Sequence, residues 1–296
     1  MQWFQIKEKA AGKKRLLLSW YLYKIFGKNI LYFIANCVSF ITFITTPQIR
    51  FYSKKYLNIV FEHVGIKSSL INQFKLVNAY AISLVDKFLV YCGDFNKNNL
   101  IFDNEQDKTE LLKDINQKKG VFFICNHIGN IEVFQAYLND AKNLGININV
   151  FMSRAQSKVF NDFLNSVKSD LQIRLFPIDE IGLNTGIELE EELKKGGLVF
   201  IAGDRLAENN DKKYISSELF SHKINLPKGT FKLAKLMNVP TYFISAIKVK
   251  NKYRIVLKKQ NELDEKNSIP AYTEFLEKSI KINPFQFFNF YDFFLS

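Results

Sequence analysis

The sequence has few cysteines, and their spacing argues against two kinds of site. Cys37, Cys92 and Cys125 are odd in number, far apart, and form no CxxC or mixed Cys/His pattern. Neither a disulfide framework nor a zinc site is therefore indicated. A reducing, cytoplasmic setting fits this cysteine usage best.

The sequence also lacks the short motifs of four large enzyme classes. It contains no GxSxG, GxxxxGK[ST], GxGxxG or HExxH. These motifs mark serine hydrolases, P-loop nucleotide hydrolases, dinucleotide enzymes and zinc proteases, respectively. No recognisable nucleic-acid-binding motif is present either, so we expect no nucleic-acid partner.

Acidic residues are too few to balance the basic ones. The chain has 41 Lys and Arg against 29 Asp and Glu, which gives a formal net charge of +12. Such a charge suggests an anionic partner: membrane lipid, an acidic protein, a phosphorylated substrate or nucleic acid. The sign of the charge does not choose among these four, and only the missing motif speaks against nucleic acid. The length of 296 residues and a hydrophobic content of 47% predict one large globular domain, or one domain with an appendage.

The N-terminal sixty residues contain a single acidic side chain, Glu8, and an uncharged stretch, Asn29–Ile49. As a helix this stretch would be about 31 Å long, enough to span the hydrocarbon core of a bilayer. Basic residues follow it at Arg50, Lys54 and Lys55, which the positive-inside rule does not favour for a single span. Half-inserted or interfacial attachment therefore stays open, and the alternative is a buried helical hairpin.

We accordingly divide the chain into a basic, apolar, membrane-associating helical region (1–60) and a main domain (61–296). Apolar residues at three- and four-residue spacing predict that Phe51–Phe95 is helical. From about Leu111, apolar runs alternate with helical patterns, which predicts an α/β fold whose mainly parallel central sheet is flanked by helices. The predicted strands are Val121–Cys125, Asn147–Met152, Gln172–Pro177, Leu198–Ala202, Thr241–Ile247 and Tyr253–Lys258. A charged stretch rich in Ser and Asn, Leu206–Lys223, is predicted to be a mobile surface loop.

Polar side chains follow four of the predicted parallel strands. They are Asn126-His127, Ser153-Arg154, Pro177-Ile178-Asp179 and Gly203-Asp204-Arg205. Ligands of a parallel sheet bind outside the carboxyl ends of its strands, so these residues are candidates for a site. Arg154 and Arg205 could pair with phosphate or stabilise an oxyanion, and the alternative is surface salt bridging. Asp204 could orient Arg154 or a backbone turn, or simply cap a turn.

The strongest candidate for catalysis is His127, which follows the first of these strands and precedes Glu132 by five residues. Side chains five apart are rotated by about 140° in a regular helix and could not meet there. They could meet if His127 precedes the helix and Glu132 lies in its first turns. A carboxylate on one ring nitrogen would then fix the tautomer of a general base. The alternative is a structural histidine at a strand end.

Two other stretches are candidates for function. In Leu226-Pro227-Lys228-Gly229-Thr230, a turn leads into a helix whose free N–H groups could hold an anion beside Lys228 and Thr230, unless it is an ordinary helix entry. The aromatic segment Phe285–Phe294 is either a second membrane anchor or a tail that packs in the core.

Five blocks of the sequence together resemble the lysophospholipid acyltransferase superfamily. They are His-Ile-Gly-Asn-Ile-Glu (127–132), Arg154 after a strand, Gly-Asp-Arg (203–205), Leu-Pro-Lys-Gly-Thr (226–230) and Pro-Phe-Gln-Phe-Phe-Asn-Phe-Tyr-Asp-Phe (284–293). The branch they resemble most contains the late acyltransferases of bacterial lipid A biosynthesis. Those enzymes typically have Asp-Gln where this chain has Asp204-Arg205, a departure that bears on the acceptor more than on the chemistry.

The resemblance implies a membrane-associated enzyme that transfers an acyl group from a thioester donor, acyl-carrier protein or acyl-CoA, to a hydroxyl of a lipid or glycolipid. The implied location is the cytoplasmic face of a bacterial inner membrane. His127 and Glu132 would be the catalytic dyad, with neither a metal nor a cofactor. The implied substrate-binding residues are Asn126, Gly129, Asn130, Arg154, Asp204, Arg205, Pro227, Lys228, Gly229 and Thr230. The alternative is a non-catalytic lipid-binding or carrier-binding protein of the same fold at the membrane periphery.

Overall fold

The computed structural model describes residues 13–138, 146–153, 173–178, 181–206 and 213–295. Four helices come first: α1 (Lys13–Phe26), α2 (Lys28–Thr45), α3 (Pro47–Val64) and α4 (Leu70–Tyr91). Local residues explain their boundaries. Pro47 occupies the first turn of α3, Gly65 ends it in the left-handed region, and the Ser69 hydroxyl caps α4 by accepting a hydrogen bond from the Asn72 N–H.

A seven-stranded sheet forms the centre of the molecule. Its strands are β1 (Leu100–Phe102), β2 (Val121–Gly129), β3 (Ile148–Met152), β4 (Ile173–Pro177), β5 (Leu198–Ala202), β8 (Thr241–Val249) and β9 (Lys252–Gln260), in the order β1-β9-β8-β2-β5-β3-β4. Every neighbouring pair is parallel except β8 and β9, which form an antiparallel hairpin. The predicted α/β fold with a mainly parallel sheet is confirmed.

Helices cover both faces of the sheet, which explains why its central strand reads as an unbroken apolar run. Phe122 and Ile124 of β2 belong to one buried cluster, and Val121, Phe123 and Cys125 belong to the cluster on the other face. The covering helices after α4 are α5 (Glu105–Asn116), α6 (Phe134–Leu138), α7 (Leu183–Lys194), α8 (Lys228–Met237) and α9 (Glu265–Ile282). Short 3₁₀ turns lie at Lys97–Asn99, Ile131–Val133 and Pro284–Gln286.

Part of the predicted surface loop is a β-hairpin, so that prediction is wrong for its described residues. β6 (Tyr214–Leu219) pairs antiparallel with β7 (His222–Pro227). Ile215, Leu219 and Ile224 alternate with exposed polar residues, as in a sheet with one covered face, and this outweighs the polar composition. Phe220 and Ser221 make the two-residue turn, and both have positive φ.

Helix α2 is packed lengthwise against α4 through polar contacts. The Tyr32 hydroxyl donates to the Asp86 carboxylate at 2.5 Å, and the Ser39 hydroxyl donates to the Asn78 side-chain oxygen at 2.7 Å. Asp86 is buried, and it also accepts hydrogen bonds from Lys248 and Tyr253 of the β8–β9 hairpin. These contacts join α2 firmly to the main domain. The boundary predicted at residue 60 falls inside α3.

Candidate active site

The carboxyl ends of β2, β5, β3 and β4 lie side by side at one edge of the sheet, in that order. This arrangement brings together the strand ends whose polar residues were predicted to form a site. His127 comes from β2, and Asp204 and Arg205 follow β5. Arg154 and Asp179 lie outside the described residues.

Strand β2 does not end at Cys125 as predicted but continues irregularly to Gly129. Its pairing with β8 shifts register between Cys125 and Gly129, which leaves the intervening residues out of the regular ladder. Gly129 has φ +71°, and a Cβ there would lie 1.9 Å from the carbonyl oxygen of Ala246. Only glycine permits so close an approach to β8. Gly129 therefore shapes the backbone that carries His127.

Asp204 contacts His127 at two points. The Asp204 carboxylate accepts the backbone N–H of His127 at 2.9 Å, and its other oxygen lies 2.8 Å from Nδ1 of the ring. A carboxylate only accepts when ionised, so this contact places the proton on Nδ1 and leaves the lone pair on Nε2. The His127 side chain is 36% exposed, whereas the Asp204 side chain is fully buried. The imidazole is therefore oriented by a buried carboxylate and is itself accessible to a substrate.

Gly203 and Tyr272 determine how closely Asp204 approaches His127. The Gly203 N–H donates to the carbonyl of Cys125 at 2.9 Å, and the Tyr272 hydroxyl donates to the same carbonyl at 2.8 Å. A Cβ at Gly203 would lie 2.6 Å from a methyl carbon of Ile124. The missing side chain thus lets the backbone before Asp204 lie directly against β2.

The electrostatic environment keeps Asp204 ionised. Burial alone would raise the pKa of its carboxyl group, but the charge and hydrogen bonds of His127 and the charge of Arg205 outweigh this effect. The net result is a pKa of Asp204 below its ordinary value. By contrast, burial and then the charges of Asp204 and Glu132 raise the pKa of the Cys125 thiol, which keeps it protonated and a poor nucleophile.

Glu132 contacts Lys87 instead of His127. It lies in the 3₁₀ turn Ile131–Val133, and its carboxylate is ion-paired with Lys87 of α4. No hydrogen bond joins Glu132 to His127 within the described residues. The predicted contact between Glu132 and the imidazole is therefore corrected, since the carboxylate that contacts the ring belongs to Asp204. As predicted, His127 precedes the helical residues and Glu132 lies in their first turn. The contact is nevertheless absent, because β2 continues to Gly129 between them and the Glu132 carboxylate pairs with Lys87.

Asn126 and Asn130 are buried and support the backbone around the histidine. The Asn126 amide donates to the Ser245 hydroxyl at 2.7 Å, and its oxygen accepts the N–H of Ile128 at 3.1 Å. Asn130 donates to the carbonyl of Ser83 in α4 at 3.0 Å. Both side chains point away from solvent, at 5% and 3% exposure, so they position the site from behind.

Arg205 is occupied by the C-terminal segment Asn283–Leu295. Its guanidinium donates to the carbonyl of Phe288 and to the side-chain oxygen of Asn289, and it lies over the ring of Tyr291. The segment packs in the core, where Phe287, Phe288 and Phe293 are buried. Of the two interpretations of this aromatic stretch, the core-packing tail is therefore confirmed.

Comparison with known proteins identifies the family. The model of a family described as bacterial lipid A biosynthesis acyltransferase matches residues 66–296. The chain belongs to this family. Among curated proteins, no match to the chain is found.

In this acyltransferase the Pro227–Thr230 stretch is a strand-to-helix junction beside the site. Pro227 ends β7, and α8 begins at Lys228. The Thr230 hydroxyl donates to the carbonyl of Ala202 at 3.0 Å and so ties α8 to the end of β5. Gly229 is exposed, with open space around its Cα. Thr230 is buried and has a bracing role.

Several residues that support the candidate site could not be recognised from the sequence. Lys87, Ser245 and Phe288 approach the site from α4, β8 and the tail, and none stands at the end of a parallel strand. Of these three residues, only Phe288 lies in a segment that the sequence marks as structurally important, because an aromatic segment of this kind must be buried or bound. Within the described ranges, no three His, Cys, Asp or Glu residues are grouped in a way that could hold a metal ion.

Proposed function

We propose that the protein is a membrane-associated acyltransferase that moves a fatty acyl group from a thioester to a hydroxyl of a lipid or glycolipid. The observation that carries this proposal is the pair formed by an accessible His127 and a buried, ionised Asp204. This pair has the arrangement of a general base with its orienting carboxylate. Membership of the acyltransferase family supports the reaction class.

In the proposed mechanism, Nε2 of His127 takes the proton of the acceptor hydroxyl as its oxygen attacks the thioester carbonyl carbon. Asp204 holds Nδ1 and stabilises the imidazolium that forms. The tetrahedral intermediate then collapses: the new C–O bond remains, the C–S bond breaks, and the departing sulfur takes the proton from Nε2. No covalent bond to the protein is formed, which agrees with the protonated, buried state of Cys125.

Basic residues near the strand ends are proposed to bind the anionic parts of the substrates. Arg154 remains the candidate for stabilising the oxyanion, and Lys228 is a candidate for an anionic group of donor or acceptor. Glu132 is proposed to act through its ion pair with Lys87, which joins the turn after His127 to α4. The net charge of +12 favours an acidic donor, either acyl-carrier protein or acyl-CoA.

We further propose that α2 attaches the protein to the membrane surface without crossing it. Within the described residues, α2 is the one helix long and apolar enough to span a bilayer. Its polar contacts with α4 at Tyr32 and Ser39 are two turns apart. A spanning α2 would therefore have to break them or carry α4, with the charged Lys75, Asp86 and Lys87, into hydrocarbon.

The opposite side of α2 offers an apolar surface to lipid. Phe33, Val38, Phe40, Ile41 and Ile44 are each more than half exposed, as are Leu18, Tyr21, Ile25 and Phe26 of α1. The exposed basic residues Arg15, Lys24 and Lys28 lie along the same pair of helices. Apolar insertion flanked by basic residues suits the surface of an anionic bilayer, and we propose the cytoplasmic face of a bacterial inner membrane.

Acyl transfer can be measured directly with the purified protein in anionic vesicles. Labelled acyl-carrier protein and labelled acyl-CoA would be supplied separately with a panel of lysolipids and lipid A precursors. We expect a labelled acylated lipid with at least one donor. Binding of lipid or carrier without any acylated product would instead favour the non-catalytic protein of the same fold.

Vesicle flotation tests the attachment. Replacing Phe33 and Ile41 by Ser should release protein from anionic vesicles, while replacing the exposed Leu70 and Ile71 of α4 in the same way should not. Protease added outside sealed vesicles should leave no protected fragment containing α2. A protected α2 fragment would show that the helix spans the bilayer.

A further inference from the structure

The C-terminal segment Asn283–Leu295 contacts the same residue that carries the proposed base. Phe287 forms an isolated antiparallel bridge with Ile128, and the N–H of Phe288 donates to the carbonyl of His127 at 3.2 Å. The backbone of His127 thus donates to Asp204 on one side and accepts from the tail on the other. Since β2 is irregular here, these two bonds replace the ladder that would otherwise fix this residue.

Arg205 closes these contacts into a ring. It follows Asp204 in the chain, and its guanidinium donates to the carbonyl of Phe288 and, through Nε, to the Asn289 side chain at 3.2 Å. Starting from His127, the connection runs through Phe288 and Arg205 to Asp204, and back to His127. A displacement of the tail would therefore move the imidazole and its carboxylate relative to each other.

The rest of the segment is hydrogen-bonded to strands and a helix of the fold. Gln286 accepts the N–H of Lys248 at 2.8 Å and donates to the carbonyl of the same residue at 2.7 Å. The Tyr56 hydroxyl donates to the carbonyl of Pro284 at 2.7 Å, and the Leu295 N–H donates to the carbonyl of Lys223 at 2.8 Å. The tail is therefore anchored on β8, α3 and β7, on both sides of Phe288.

We propose that this C-terminal segment, fastened by Arg205, is a clamp that positions His127 for proton transfer. The inference rests on the proposed acyl transfer and assigns Arg205 a positioning role, in place of the substrate-binding role that the sequence suggested. Because a guanidinium is planar and carries several N–H donors, Arg205 can contact a carbonyl, an amide oxygen and an aromatic ring at the same time.

Arg205→Gln separates the positioning role from substrate binding. We expect kcat to fall at least about tenfold with KM for donor and acceptor nearly unchanged, because small displacements of reacting groups slow chemistry more than binding. The matched control is Arg174→Gln, which removes an arginine that pairs with Glu188 at the surface of β4 and should leave both constants unchanged. A rise in KM with unchanged kcat would show that Arg205 binds substrate, and unchanged values of both would overturn the clamp.

A second variant guards against a general loss of folding. Asn289→Ala removes only the side-chain oxygen that accepts the hydrogen bond from Nε of Arg205. We expect kcat to fall less than in Arg205→Gln, with a thermal midpoint near wild type. Combined with Arg205→Gln it should add little, because both changes release the same contact. Fully additive effects on kcat would contradict a shared clamp.

A readout independent of turnover distinguishes the clamp from the proposed reaction. In protein labelled with ¹⁵N-histidine, the Nδ1–H proton of His127 held by Asp204 should give a downfield resonance. It should broaden or disappear in Arg205→Gln and persist in Arg174→Gln. If the two variants differ in this way but the wild-type protein transfers no acyl group, the clamp is retained and the proposed reaction is rejected. An Nδ1–H resonance that is identical in both variants would reject the clamp.

Discussion

At the scale of single residues, the central question is which carboxylate serves His127. Asp204 holds Nδ1 at 2.8 Å, whereas Glu132 is paired with Lys87. Asp204→Asn should therefore lower kcat by roughly 10²-fold or more, because an amide no longer stabilises the imidazolium and can hold the wrong tautomer. Steady-state kinetics of acyl transfer would give the value.

The companion variant is Glu132→Gln, which keeps the shape of the side chain and removes its charge. We expect a loss of less than about tenfold, well below the general acid–base range of 10²–10⁴. Lys87→Gln should give a similar loss, because both changes break one ion pair. If Glu132→Gln were more damaging than Asp204→Asn, the assignment of the two carboxylates would be reversed.

The sequence could locate His127 and Asp204 but could not pair them. Both stand after short apolar runs, and parallel strands place such positions at one edge of a sheet. The contact itself joins residues 77 positions apart and depends on Gly203 lying against β2. In the sequence, the H-x4-E spacing suggested that His127 contacts Glu132. This suggestion was misleading because β2 extends irregularly to Gly129.

At the scale of elements, strands buried on both faces were the most predictable. Leu198–Ala202 was predicted with the bounds that the structure has, because a short apolar run between helical patterns has few other interpretations. The hairpin β6–β7 was missed, since exposed Ser and Glu side chains hide its alternation. Helix α9 begins at Glu265 because the Asp264 side chain caps it, and Pro270 is accommodated inside the helix.

The amino-terminal end of the sheet, far from the strand ends of the site, provides an element-scale prediction. Buried Asp114 of α5 accepts hydrogen bonds from Tyr242 of β8 and Lys259 of β9, each at 2.7 Å. Burial would raise the pKa of Asp114, but the hydrogen bonds from Lys259, Tyr242 and Lys119 outweigh it and lower the pKa. Asp114→Asn should thus cost about 1.5–3 kcal/mol of unfolding free energy at pH 7, the usual value for a hydrogen bond to a charged group.

This cost should depend on pH. A carboxyl group with a lowered folded pKa stabilises the protein above its unfolded pKa of about 3.9, and that stabilisation is lost as the pH falls through the folded value. The difference between wild type and Asp114→Asn should therefore be constant near neutral pH and shrink below about pH 4. Urea unfolding at several pH values would measure it. A difference that grows on acidification would contradict the sign of the shift.

At the scale of the whole molecule, charge and apolar surface are expected to act together at the membrane. Replacing Arg15, Lys24 and Lys28 by Gln should weaken binding to anionic vesicles by about 1 kcal/mol per charge near the surface. Added salt should reduce this difference, because exposed charges are screened over about 10 Å at 0.1 M salt. Vesicle sedimentation across a salt series would measure both effects.

The matched control for this charge effect replaces Lys232, Lys235 and Lys266, which are also exposed but lie in α8 and α9, on the other face of the sheet from α2. These changes should leave vesicle binding nearly unaltered. Equal losses for both sets would mean that net charge governs binding, with no contribution from the position of α1 and α2.

The most direct test of the proposed function is acyl transfer by His127→Ala, measured in a single turnover with labelled donor and vesicle-bound acceptor. Loss of a general base predicts a rate lower by about 10²–10⁴-fold, with vesicle binding and thermal midpoint close to wild type. The hydrogen bond from the backbone N–H of position 127 to the Asp204 carboxylate does not depend on the imidazole, so it should persist in the variant and help to keep the fold intact. A variant that retained more than about a third of the wild-type rate would contradict catalysis by His127.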